Sequence, residues 1–175
     1  MLIRNHIGIV FILLSISSAE SLYDVFMEAD SANGYNKYIT LNSDVVYTGG
    51  LGSSEHSIYI EGNGAVIDLN EGTGIWIAGD ETATGSLNIN RCTIIYGGYY
   101  GINLSGYSDN FITNCNIISS YWGIHVNDSV RVTIQNVNLV GNDYGIAVSG
   151  DRTNIFIDYV NSWNNTNNFM INCFG

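Results

Sequence analysis

The sequence predicts an all-β chain wound as a right-handed single-stranded parallel β-helix, a solenoid of about five to six coils with three short strands per coil. Three observations predict it. YYGINLSG begins at Tyr99, YWGIHVND at Tyr121 and DYGIAVSG at Asp143, each 22 residues after the last. Within each unit a second motif recurs: FITNCNII from Phe111, TIQNVNLV from Thr133 and, 23 residues later, FIDYVNSW from Phe156. Finally, proline is absent, only 12% of residues are charged, and 20 are glycine. That profile suits a β-rich chain whose turns use Asn and Gly at positive φ.

The elements follow in chain order. Residues 1–19 read as a signal peptide. Arg4 and His6 give a mildly basic start, Ile7 to Ile16 is apolar, and Ser17 and Ala19 are the small residues before a cut after Ala19. The apolar run is too short to span a bilayer comfortably, and no later segment is apolar enough to do so. The expectation is export: a secreted, extracellular or cell-surface protein, or a periplasmic one, with no membrane span after cleavage. Residues 20–37 form an N-terminal cap in which Leu22, Val25 and Phe26 suit a short amphipathic helix. Residues 38–175 are the solenoid. YITLNSDVVYTGG from Tyr38, SIYIEGNGAVIDL from Ser57, GIWIAG from Gly74 and LNINRCTII from Leu87 fit the same template as the later coils. The chain stops at Asn172-Cys173-Phe174-Gly175, just after a first strand. An incomplete solenoid with further domains beyond it, or an end covered by a partner, is therefore expected.

Each coil alternates apolar and polar residues in short runs. In the coil beginning at Gly123 these are Ile124–Val126, Val132–Ile134 and Val137–Leu139. Ile124 and Val126 should point inward and His125 outward, because strand side chains alternate with a period of two. Equivalent positions recur after a full circuit, so like stacks over like at about 4.8 Å per coil. Four inward ladders result: Ile102/Ile124/Ile146, Leu104/Val126/Val148, Ile89/Ile112/Ile134/Ile157 and Cys92/Cys115/Val137/Val160. Asn114 should sit under Asn136 at a left-handed bend, with Asn116, Asn138 and Asn161 as a second column.

The Gly-Ile openings at Gly101, Gly123 and Gly145 and the Ile-x-Asn bends at Asn114 and Asn136 resemble the repeats of the pectin lyase-like superfamily. The resemblance covers Tyr38 to Gly175, and IEGNGAVIDL (Ile60–Leu69) is similar to early coils of its secreted members. It implies the fold more than the function, since the scaffold carries lyases, hydrolases, adhesins and non-enzymatic surface proteins. It also implies where a groove would lie, along the outer face of the first strand.

Charge excludes one class of partner. Cleavage after Ala19 removes Arg4 and no acid, leaving a net charge of −12. Lys37, Arg91, Arg131 and Arg152 are too scattered to neutralise phosphates, so nucleic-acid binding is not expected. Cys92, Cys115 and Cys173 are an odd number, and Cys92 over Cys115 reads as a buried pair rather than a disulfide.

The outward positions of the first strands are Trp76, Asn103, His125 and Ala147, then Ala78, Ser105, Asn127 and Ser149. A galacturonan hydrolase needs paired carboxylates there. A pectate lyase needs calcium-binding acids and a base. Neither set occurs, so no catalytic residue is assigned. Trp76, Asn103, His125 and Asn127 are the candidate glycan-binding face. Trp76 either offers its ring to a sugar or lies under the Asp80–Gly85 loop. His125 either binds a hydroxyl or is an exposed polar residue on a solvated strand. The Tyr100/Trp122/Tyr144 column reads first as corner packing and second as a sugar platform. Asp109, Asp128 and Asp151, with Asp80 and Glu81, follow the first strand; they are the candidate calcium ligands, set against ordinary turn chemistry. No cofactor is expected, with calcium at these acids as the alternative.

The leading functional expectation is a secreted or cell-surface module with a structural, adhesive or glycan-contacting role, its partner a polysaccharide or surface glycan. The alternative is a divergent or truncated polysaccharide lyase or glycoside hydrolase acting on acidic polysaccharide.

Overall fold

The computed structural model describes residues 19–80, 82, 85–150 and 154–172. Residues 1–18, which hold most of the expected signal peptide, Glu81, Asp151, Arg152 and the Cys173–Gly175 end lie outside the described residues. Alternation sets the strands. In Ser86–Asn90, for example, Leu87 and Ile89 are fully buried while Ser86, Asn88 and Asn90 face outward. Stacking the coils yields two parallel sheets, one of six strands and one of eleven, ten of them on its main path and the strand Ile155–Trp163 paired beside it.

The six-stranded sheet holds the first strand of each coil. Its members are Leu51–Ser53, Ile75–Gly79, Tyr100–Gly106, Trp122–Asp128, Tyr144–Gly150 and Asn167–Asn172. Pairing runs Ile75–Ile102–Ile124–Ile146–Phe169 and Ile77–Leu104–Val126–Val148. The expected ladders are therefore present and extend to earlier coils. The second-strand ladder is longer still: Ile39, Ile60, Ile89, Ile112, Ile134 and Ile157 lie in register. From Ile60 to Ile134 its members are fully buried. Each such side chain contributes about 1.5–3 kcal/mol by leaving water.

One expectation is corrected. The runs Val132–Ile134 and Val137–Leu139 are not separate strands; Arg131–Val140 is a single strand that turns the corner. The pivot is Asn136 at φ 53°, in the same corner as Asn63, Arg91, Asn114 and Tyr159, all with φ between 51° and 56°. A single left-handed residue redirects the chain without breaking the pairing on either side, so the two faces merge into the larger sheet. Asn tolerates this conformation best among residues with a Cβ.

Side-chain amides tie this corner along the axis. Asn136 Nδ2 donates to Asn114 Oδ1 (3.2 Å), Asn114 Nδ2 to Asn90 Oδ1 (2.8 Å) and Asn90 Nδ2 to Glu61 Oε2 (2.9 Å). Arg91 Nε closes the chain on Glu61 Oε1 at 2.9 Å. In the second column Asn138 Nδ2 donates to Asn116 Oδ1 at 2.8 Å.

The strand Ala19–Ser21 pairs with Val46–Thr48 and leads into the helix Leu22–Glu28. Ser21 caps the helix by accepting from Asp24 N at 3.2 Å, and Leu22 and Phe26 are buried against the first coil. The helix C-terminus is satisfied by Lys37 Nζ, which donates to Met27 O (2.9 Å) and Ala29 O (2.8 Å). No helix among the described residues is long and apolar enough to cross a membrane. At the other end of the described solenoid, ladder residues Ile157 and Phe169 are 39% and 52% exposed.

Candidate functional site

The outer face of the six-stranded sheet is organised in rows by the same register that builds the core. One row reads Gly52, Trp76, Asn103, His125, Ala147 and Met170 from coil to coil. Beside it lie Ala78, Ser105, Asn127 and Ser149, and on the other flank Tyr100, Trp122 and Tyr144. All four candidate glycan-face residues thus share one face.

His125 differs from its expected environment. It is 4% exposed rather than solvated, because its ring is enclosed by the aromatic flank. Trp122 lies 4.1 Å away, centroid to centroid, and Tyr100 stacks at 5.4 Å with planes 13° apart. Strand alternation alone places an outward residue in water; two large neighbours on the same face remove it. The polar edge of the ring is also occupied. Nδ1 lies 2.8 Å from Asn103 Oδ1 and 3.2 Å from Asn127 Nδ2, and Nε2 lies 3.3 Å from Ser149 Oγ. With the proton on Nδ1 of a neutral ring, Nδ1–H donates to Asn103 Oδ1 and Nε2 accepts from the Ser149 hydroxyl, while Asn127 Nδ2, itself a donor, lies alongside without a bond to Nδ1. Burial lowers the pKa to about 4, opposed in part by the Asp128 carboxylate. The imidazole is therefore neutral at pH 7 and covered on both faces.

The aromatic flank carries its own cost. Trp122 Nε1 is buried without a hydrogen-bond partner, a penalty of about 1–3 kcal/mol. Outside it, Tyr99 and Tyr121 stack at 5.8 Å with planes 17° apart and remain 49% and 39% exposed. Tyr121 borders a groove of about 570 Å³ whose walls include Glu71, Tyr96 and Asp143.

Trp76 is 41% exposed. Its indole folds down onto Gly52 of the preceding coil, occupying the space a side chain would need. A Cβ on Gly52 would stand 1.9 Å from Cε2 and 2.0 Å from Nε1. Asn103 and Asn127 are partly buried; the Asn103 amide oxygen accepts from His125 and the Asn127 amide lies beside the same ring nitrogen.

The candidate calcium acids that the structure describes, Asp109 and Asp128, lie on different elements. Asp109 opens a strand of the larger sheet and pairs in register with Arg131, whose Nη1 is 3.7 Å from its carboxylate. Asp128 ends a first strand and pairs with Gly150. The two belong to different rows, and Asp151 lies outside the described residues. Among the described residues no group of three or more His, Cys, Asp or Glu could hold a metal ion.

Other important polar residues lie at the corners. Asn110 is fully buried; its Oδ1 accepts from Leu87 N at 2.9 Å and its Nδ2 donates to Ser108 Oγ (2.7 Å) and Arg131 O (3.3 Å). Asn142 accepts from Ser120 N (2.9 Å) and donates to Ile117 O (3.1 Å), with Asn165 one coil further on. The Ser120–Asn142–Asn165 spacing was visible in the repeat; Asn110 had no such signal.

Stacked parallel coils, continuous apolar ladders and a polar-aromatic first-strand face define a parallel β-helix scaffold. The chain belongs to the family described as the right-handed beta helix region, whose model matches residues 73–174, more than half of its length. That membership agrees with the resemblance to the pectin lyase-like superfamily. No curated protein and no solved structure matches the chain. The fold is that of a structural or carbohydrate-related module.

Proposed function

We propose that this protein is an exported scaffold that contacts a polysaccharide along its first-strand face without cleaving it. The observation that carries this reading is the state of His125. It is the titratable residue at the centre of the face, yet it is enclosed by Tyr100 and Trp122 and held neutral by burial. A group so placed orients Asn103 and Asn127; it does not reach a glycosidic oxygen or a C–H proton. Its neighbours along the rows include Trp, which stacks on sugars, and Asn and Ser, which hydrogen-bond to them; none of these transfers protons at neutral pH. Export rests on residues 1–19, and cleavage after Ala19 would leave Glu20 and Ser21 to pair with Tyr47 and Thr48.

The test is a glycan array with the purified mature chain, followed by incubation of each bound glycan, and of acidic polysaccharide with calcium. Retention without products is expected. Release of unsaturated or new reducing ends would establish the lyase or hydrolase alternative instead.

A further inference from the structure

Two hollows of about 280 and 490 Å³ adjoin where the helix Leu22–Glu28 lies against the first coil. They share three walls: Tyr23, Gly52 and Trp76. We propose that this cleft is a binding subsite for an uncharged pyranose ring. The proposal rests on the reading of the protein as a glycan-contacting module and assigns that contact to a place outside the His125 network.

The two aromatic side chains are the first argument. Trp76 and Tyr23 are 41% and 50% exposed although both lie beside the buried Leu22–Phe26 cap. Leaving such rings in water forgoes part of the burial energy that drives folding, about 25 cal/mol for each Å². A sugar's C–H face would recover it. Trp76 is also held in position. Its indole rests on Gly52, where any Cβ would collide, so the ring is bedded on the preceding coil rather than swinging freely.

The rest of the lining sets the ligand class. One hollow continues through Ser54 and His56, the other through Asn70 and Thr73, all of which can hydrogen-bond to sugar hydroxyls. His56 is fixed by Ser53 Oγ at 2.9 Å from Nδ1 and by edge-on contact with Phe26. Glu55 is the one charged side chain among the lining residues, and no Lys or Arg joins it. Lys37 is bound to the helix carbonyls and is not part of the wall. A uronate would meet a like charge with no cation to offset it. A neutral sugar meets no such penalty, and both volumes suit one or two rings.

The experiment titrates the mature protein with cellohexaose, mannohexaose and hexagalacturonate, read by calorimetry and tryptophan fluorescence. Binding of a neutral hexasaccharide is expected, weakened about tenfold or more by Tyr23→Ala and by Trp76→Ala. Tyr159→Ala, on the exposed side of the larger sheet, should leave it unchanged. Circular dichroism and melting of each variant establish that the fold persists, with Tyr23→Phe as the milder change if Tyr23→Ala unfolds. Sugar binding that survives Tyr23→Ala and Trp76→Ala but fails in Asn127→Ala moves the site to the strand face: the cleft is then wrong and the glycan reading stands. Binding of hexagalacturonate alone overturns the ligand class. Binding of no sugar, here or on a glycan array, overturns both.

Discussion

Nδ1 of His125 lies 2.8 Å from Oδ1 of Asn103, its register partner one coil earlier. The contact exists only because the coils stack in register, and it places a proton on Nδ1 of the single histidine on the first-strand face. Asn103 Oδ1 calls for a proton on Nδ1, and burial, which lowers the pKa to about 4, leaves Nε2 without one at neutral pH.

This gives stability a pH dependence of defined sign. The folded pKa of His125, about 4, lies below the 6.5 of an unfolded chain. The unfolded state therefore takes up a proton first as pH falls. The contribution is complete above pH 6.5 and is lost progressively between 6.5 and 4, amounting to roughly 3 kcal/mol. Urea unfolding at stepped pH should show this loss, and His125→Gln should flatten it over that interval. Glu61 acts lower: desolvation opposes its ionisation, but bonds from Arg91, Asn90, Asn63 and Tyr59 outweigh it and depress its pKa. Its contribution is lost as pH falls from the usual carboxylate value through the lowered folded pKa, so its loss follows that of His125.

Gly52 should resist substitution for a reason unrelated to backbone conformation. A strand glycine replaced by alanine ordinarily gains stability by about 0.5–1 kcal/mol. Here the new methyl would stand 1.9 Å from Trp76 Cε2. Gly52→Ala is expected to destabilise by about 1–3 kcal/mol and to shift tryptophan emission. Adding Trp76→Ala should return most of the loss, a coupling that a double-mutant cycle measures directly.

Asn110 and Asn138 should behave differently although both donate along the axis. Asn110→Ala would leave the buried Leu87 N–H and Arg131 carbonyl without that partner, about 1–3 kcal/mol for each group. Asn138 is exposed, and its bond to Asn116 competes with water, so Asn138→Ala should cost under about 1 kcal/mol. Chemical denaturation of the two variants decides this.

Cys92 and Cys115 are each 1% exposed and stack in adjacent coils as free thiols. The bond to Cys115, then burial, pushes the Cys92 thiol well above its usual pKa. In a Cys173→Ser background, which removes the third thiol, Ellman's reagent should find no reactive group in the folded protein and two in urea. Fast reaction without unfolding would show that this stretch of core opens.

The repeat made much of the fold legible. Ile102, Ile124 and Ile146, or Asn114 and Asn136, recur at 22 residues, and a chain that returns to the same place each circuit must stack them. The merged strand Arg131–Val140 was not legible, because a one-residue turn looks in sequence like a break between two strands. Nor was the cleft that the cap shares with Trp76: Tyr23 and Trp76 share no period.

The candidate face was legible in position but not in environment. Sequence places Trp76, Asn103, His125 and Asn127 outward, and they are on that face. Periodicity reports which side of a sheet a residue occupies; it does not report what its neighbours on that side do.

The solenoid itself was thus determined by the sequence alone: apolar side chains at a fixed period bury themselves in one way only, as a stack of coils with named ladders. Only the tertiary structure decided that His125 is enclosed and neutral, that Asp109 answers Arg131 rather than Asp128, and that Trp76 rests on Gly52. Each of those depends on side-chain size and direction across neighbouring coils, and on which residues a given ring can reach. A repeat length carries neither.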